Sequence, residues 1–137
     1  SKTILDIGSG AGFPGLVLAI AGYSKVTLVE SDKKKVVFLT EIARATKTTI
    51  AIIDGRIESL KPRPFSIITS RACADLNLLL EYSYPFVSHG TECIFLKGRK
   101  YEEEIFEAQK KWSFQFKIIP SITNSDGVIL KLTNIHK

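Results

Sequence analysis

The stretch Leu5-Asp6-Ile7-Gly8-Ser9-Gly10-Ala11-Gly12-Phe13-Pro14-Gly15 places four glycines directly behind a short strand-like lead. Glycine loses more conformational freedom on folding than any other residue. So many together are justified only where the backbone must turn tightly or be approached closely. The residues that follow, Phe13 to Ala21, are apolar nearly all round. Pro14 fits a first helical turn, where its missing N–H has no partner to lose. The local reading is strand (Thr3 to Ile7), tight turn, then a short buried helix ending at Gly22.

Beyond this unit the chain keeps alternating. Val26 to Val29 is a β-prone run closed by Glu30, as in a strand covered on both faces. From Asp32 to about Lys47 two apolar rows, Val36/Leu39/Ala43 and Phe38/Ile42/Ala45, recur at helical spacing, with Ser31 or Asp32 as N-cap. Thr49 to Ile53 and Phe65 to Thr69 predict strands ending at Asp54-Gly55 and Ser70-Arg71-Ala72. Asp75 is placed to cap a helix from Leu76 to about Tyr84. Cys93 to Leu96 predicts a fifth strand ending at Lys97-Gly98, and Tyr101 to Lys111 a helix. Phe114 to Ile119 and Val128 to Thr133 are separated by only a short loop and should pair as an antiparallel hairpin. The sum is an α/β fold: a doubly wound, mostly parallel, Rossmann-like sheet with a C-terminal antiparallel hairpin.

With 137 residues, 45% of them hydrophobic, and no repeat or linker, residues 1–137 read as a single domain. No apolar run approaches the roughly 20 residues of a membrane helix, and no signal-peptide pattern opens the chain. A soluble, cytoplasmic protein is expected, without membrane contact and as a monomer. Cys73 and Cys93 show no metal-ligand spacing and read as small buried thiols, so no metal is expected. His89 and His136 read as solvated surface. The net charge of +5 favours an anionic partner without proving one.

In doubly wound sheets ligands sit beyond the carboxyl ends of the strands, which here carry Gly8 to Gly15, Glu30, Asp54, Arg71 and Lys97. Gly10-Ala11-Gly12-Phe13-Pro14-Gly15 matches G-x-G-x-x-G, with Glu30 about where an acid would hold a ribose, so NAD is a candidate. Two details favour another ligand. Asp6 sets a carboxylate under the turn, against a pyrophosphate. The glycine alternation also begins earlier, as Asp6-x-Gly8-x-Gly10-x-Gly12. An amino-acid-bearing nucleoside such as S-adenosylmethionine fits this better: it would lie across Gly8 to Phe13, its ammonium meeting carbonyls or Asp6 and its ribose diol meeting Glu30.

The segments LDIGSGAGFPGLVLAI (5 to 20), ESDKKKVVFL (30 to 39), GRIE (55 to 58), SRACADLNLLLEY (70 to 82) and FLKG (95 to 98), in this order, resemble the bacterial small-subunit ribosomal RNA guanine-N7 methyltransferases, the RsmG or GidB family. The resemblance implies a class I methyltransferase sheet, S-adenosylmethionine as cofactor, and a 16S ribosomal RNA or small-subunit partner. It implies cofactor contacts from Gly8 and Phe13, from Ile57 and Glu58, and from Arg71, with Glu30 at the ribose hydroxyls. Family members usually carry a helical segment before the first strand, and that segment is expected to be absent here. Guanine N7 bears a free lone pair, so transfer needs no general base; proximity, orientation and electrostatics should suffice. Arg71, at a strand end where the acceptor approaches, is the candidate catalytic residue. Of three basic clusters, only Lys97, Arg99 and Lys100 lie at the expected ligand edge, and these are the candidate phosphate contacts. A nicotinamide-dependent oxidoreductase and a non-catalytic nucleotide- or RNA-binding module remain the alternatives.

Overall fold

The computed structural model describes residues 2–8, 14–71, 74–120 and 127–137. Its strands are β1 (Ile4–Ile7), β2 (Val26–Glu30), β3 (Ala51–Asp54), β4 (Ile67–Arg71), β5 (Glu92–Lys97), β6 (Ser113–Pro120) and β7 (Val128–His136). The helices are α1 (Gly15–Ile20), α2 (Lys33–Ala45), α3 (Leu76–Ser83) and α4 (Tyr101–Ala108), with 3-10 turns at Ile57–Ser59 and Tyr84–Phe86. Among the described residues, seven strands form one sheet in the order β3-β2-β1-β4-β5-β7-β6. β1 to β5 are mutually parallel, and β7 lies antiparallel to both β5 and β6. The alternation of the sequence thus resolves into the expected doubly wound sheet with a closing hairpin.

Residue alternation along the strands sorts the core into two layers. Leu5, Ile7, Ile68, Cys93, Phe95, Leu130 and Leu132 pack with Leu76, Leu79, Leu80, Ile105 and Trp112 on the α3/α4 side. Ile4, Val26 and Leu28 pack with Leu16, Ala19, Leu39 and Ala43 on the α1/α2 side. Covering both faces explains why β1 and β2 are buried at every position. Among the described residues, no helix is long and apolar enough to cross a membrane.

Helix starts follow their caps. Asp32 accepts from the Lys34 and Lys35 amides at α2, and Asp75 from the Leu78 amide at α3. Boundaries differ from the expectation where apolar residues serve something other than the ladder. Phe65 and Ser66 precede β4, their amides bonded to Phe86 O and Thr3 O, so an apolar residue sits in a connection. In α2, Leu39 and Ala43 are buried, whereas Phe38 of the second row is 49% exposed. α1 begins at Gly15, not Phe13, with Pro14 at its N-cap.

The strand register aligns the carboxyl ends. Ile7 lies opposite Val29 and Ser70, Glu30 opposite Asp54, and Arg71 opposite Leu96. The chain reverses its direction of winding between β1 and β4, so the crevice beyond these ends is the topological switch point.

Candidate functional site

A cleft of about 250 Å³ opens beside that switch point, over the carboxyl ends of β1, β2 and β3. Ile7 and Gly8 form its base, Val29, Glu30 and Ser31 one wall, and Gly55, Arg56, Ile57 and Glu58 the other, with Lys35 and Tyr82 at the rim. Gly8 has φ +67°, a conformation that L side chains rarely adopt, and its N–H donates to Val29 O at 2.9 Å. Glycine is therefore favoured at the exit of β1. Glu30 is buried. One of its carboxylate oxygens accepts the Asp32 N–H at 2.9 Å, and its carbonyl accepts the Gly55 N–H at 3.0 Å. These bonds tie the second strand end, the cap of α2 and the turn after β3 together. Gly8, Glu30, Ile57 and Glu58, separated by up to 50 positions in the sequence, thus line one space. Gly10 and Phe13 lie outside the described residues, as does Cys73.

Below the turn, β1 is pinned to its neighbours. Asp6 is fully buried and accepts from Thr69 Oγ1 at 2.6 Å, while Ser70 Oγ donates to Ile7 O at 2.9 Å. A Cβ on Gly15 would fall 2.6 Å from Asp6 Cβ and 2.5 Å from Leu28 Cδ2, so α1 rests directly on β1 and β2. Gly15 is the place where the glycine pattern serves packing.

On the other side of β1, Arg71 ends β4 and is exposed. Arg99 and Lys100 are also exposed, beyond the end of β5. Lys97 is not presented with them. Burial in β5 alternates, and Lys97 falls on the same face as Cys93 and Phe95, with its side chain only 3% exposed. Its ammonium donates to Ala74 O at 2.6 Å and pairs with Glu104 at 2.8 Å. The period of two that marks Cys93 and Phe95 as core was visible in the sequence and extends to Lys97. Asp54 is held at 3.1 Å by Lys33, on the surface.

Tyr82 is a cleft residue that sequence reasoning did not single out. Only twelve residues separate the end of β3 from β4, and they form a single 3-10 turn. Tyr82 comes to the cleft from α3, which follows β4. Nothing local in the sequence signals a contact between elements so far apart. Burial pushes the Cys93 thiol up to about 12, which keeps it protonated and unreactive in the core. His89 and His136 are exposed. Among the described residues, no group of three or more His, Cys, Asp or Glu side chains is set to hold a metal ion.

The comparisons with known proteins agree with this arrangement. A family model described as GidB, rRNA small subunit methyltransferase G, matches residues 1–132. The ribosomal RNA small subunit methyltransferase G of Gluconobacter oxydans is 46% identical over 136 residues, 99% of this chain and 70% of that protein. Its counterpart in Paramagnetospirillum magneticum is 43% identical over 137 residues, 100% of this chain and 67% of its own length. Among solved structures, a methyltransferase from Pyrococcus furiosus superposes with a TM-score of 0.77 at 18% identity, covering 96% of this chain and 74% of its own. A glycopeptide N-methyltransferase complexed with sinefungin gives 0.76 at 8% identity, covering 97% and 86%. Similarity at that level of identity speaks to the fold alone. With the family match spanning nearly all of the sequence and the sheet that of the methyltransferases, this chain belongs to the family of rRNA small subunit methyltransferase G.

Proposed function

We propose that this protein transfers a methyl group from S-adenosylmethionine to N7 of a guanine in 16S ribosomal RNA, acting in the cytoplasm. The observation that carries this reading is the convergence of Gly8 and Glu30, from adjacent strand ends, on one cleft with Ile57 and Glu58. That cleft suits the cofactor. A glycine with positive φ leaves the base free of side chain, and a buried carboxylate lines the same space. Its rim carries both signs of charge, Glu58 against Lys35 and Arg56, as a zwitterionic ligand requires. The relatives are methyltransferases, so the nicotinamide reading is not favoured.

Bound here, S-adenosylmethionine would supply an electrophilic methyl group, its S–CH3 bond breaking as the N7–CH3 bond forms, with S-adenosylhomocysteine as the thioether product. The protein's task is to bind and orient. Glu30 holds the ribose diol, Gly8 and the turn after it admit the ligand against the backbone, and Ile57 and Glu58 close the far side. Arg71 stands where the acceptor approaches and fixes an anionic group of cofactor or RNA with its planar guanidinium. Arg99 and Lys100, exposed at the same edge, contact phosphate. Because N7 carries its own lone pair, no side chain has to remove a proton, and catalysis comes from positioning and electrostatics.

Calorimetric titration with S-adenosylmethionine, S-adenosylhomocysteine and NAD tests the first half. Binding of the first two, and not of NAD, is expected; the reverse order would overturn it. Mapping N7-methylguanine in 16S rRNA from cells with and without the gene tests the second. A methylation map unaltered by loss of the gene would exclude this substrate.

A further inference from the structure

Lys97 is a buried charge for which phosphate binding has no use. A lysine at a core-facing position of a central strand is costly unless its ammonium is well bonded. Here it is bonded at both ends of one path. Nζ donates to Ala74 O at 2.6 Å and meets Glu104 Oε1 at 2.8 Å, and the same Glu104 oxygen accepts the Leu76 N–H at 2.9 Å. Ala74 and Leu76 flank Asp75, the cap of α3. Three elements meet at this point: the end of β5, the first turn of α4 and the entry to α3.

A buried ion pair is a poor source of stability, since apolar residues of similar volume commonly do as well or better. What it does supply is direction. Ala74 O needs a donor and the Leu76 N–H an acceptor, and one cation with one anion satisfies both. Ala74 and Leu76, at the entry to α3, are thereby tied to the end of β5, next to Leu96, which pairs with Arg71. We propose that Lys97 and Glu104 form a clamp of positioning residues: they hold the entry of α3 against the end of β5, beside Arg71, so that Arg71 is presented correctly to the reactants, and they touch neither RNA nor cofactor. The proposal rests on the assignment of Arg71 made above.

The test compares Lys97→Met, Glu104→Gln and the double Lys97→Met/Glu104→Leu with the parent, in the enzyme as its gene encodes it. Lys97→Met leaves a half-buried carboxylate without its cation and should lower Tm. The double variant removes both charges and should recover it. A merely structural pair would recover activity together with Tm. A clamp would not, because Ala74 O and the Leu76 N–H remain untied. The expected result is a double variant with near-parental Tm and cofactor affinity, a kcat on rRNA at least tenfold lower, and faster hydrogen exchange at the Leu76 amide. Adding Arg71→Lys should then cost little more, since both changes spoil the same step. Parental kcat in the double variant overturns the proposal. So does a salt slope lowered by about 0.7 in Lys97→Met, the mark of a direct phosphate contact. Should Lys97→Met not fold, the double variant carries the kcat test by itself, and Glu104→Gln, which keeps an oxygen for Leu76 and for Lys97, should hold kcat near the parental value. If the parent itself methylates no rRNA, the proposed function fails. Exchange at Leu76 then still decides the clamp: parental protection in the double variant refutes it.

Discussion

Replacing Gly15 by alanine tests how the cofactor turn is seated. The new Cβ would fall 2.5 Å from Leu28 Cδ2, 2.6 Å from Asp6 Cβ and 2.7 Å from Asp6 Oδ2. Ordinary carbon contacts lie near 3.5–4.0 Å, so about 1 Å must be found. β1 cannot supply it. Asp6 is paired with Leu28 on one side and Thr69 on the other, and its Oδ1 is held by Thr69 Oγ1. Leu28 is fully buried in the core. α1 must therefore move away from the sheet, taking the end of the glycine turn with it. Overpacking of this kind costs about 1–3 kcal/mol, and the better helix propensity of alanine returns at most about 1. The net loss, about 1–2 kcal/mol, should lower Tm by about 4–8 °C. Affinity for S-adenosylhomocysteine, measured by calorimetry, should fall at least about tenfold, or 1.4 kcal/mol. Gly98→Ala is the matched control: nothing lies within 4 Å of its Cβ position, and alanine there should be neutral or stabilising by up to about 1 kcal/mol. A Gly15→Ala protein with parental Tm and parental affinity would refute the argument that α1 is pressed onto β1 by the absence of a side chain.

Three other outcomes are expected. Glu30→Gln keeps an oxygen for the Asp32 N–H but removes the charge; cofactor affinity should drop by about 1–3 kcal/mol with little change in Tm, and unchanged calorimetric affinity would take Glu30 out of the site. Arg71→Lys should leave Tm within about two degrees while lowering kcat/KM on rRNA about tenfold or more, since an ammonium cannot replace the planar fork; turnover at the parental rate would end its catalytic assignment. The Cys93 thiol, raised to about 12 by burial, keeps a proton that the unfolded chain releases above pH of about 8.5. Its contribution is complete below that pH and is lost as pH rises toward 12, so Cys93→Val should gain on the parent by up to about 1.4 kcal/mol per pH unit across that window. Parallel stability curves would show that the thiol does not titrate in this way.

The fold was legible because its signals are local and repeat. Strand runs ending in small or charged residues, and helices opened by Asp32 and Asp75, recur often enough that a parallel sheet is the economical solution. The boundaries were less legible where tertiary contacts override pattern. Phe65 looks like strand and is buried like strand, yet its amide is taken by Phe86, outside the ladder. The second row of α2 looks like core, but Phe38 has no layer above it among the described residues and stands half exposed.

The two halves of the site differ in legibility for a related reason. Gly8 and Glu30 are legible because each terminates a strand, and adjacency of β1 and β2 follows from the connection between them. Their meeting is a consequence of topology alone. Lys97 also terminates a strand, and that position invites the same inference, but a strand end has two faces as well as a tip. Whether its ammonium reaches out toward RNA or turns under the neighbouring helix depends on parity along β5 and on whether a carboxylate waits there. Parity was available from Cys93 and Phe95; the carboxylate of Glu104, seven residues away on another element, was not. A basic residue in a motif at a ligand edge is thus evidence of function without being evidence of contact. The distinction is physical. An exposed cation acts on the ligand by neutralising charge, so its removal changes salt dependence. A buried one acts by fixing backbone, so its removal changes turnover and leaves salt dependence alone.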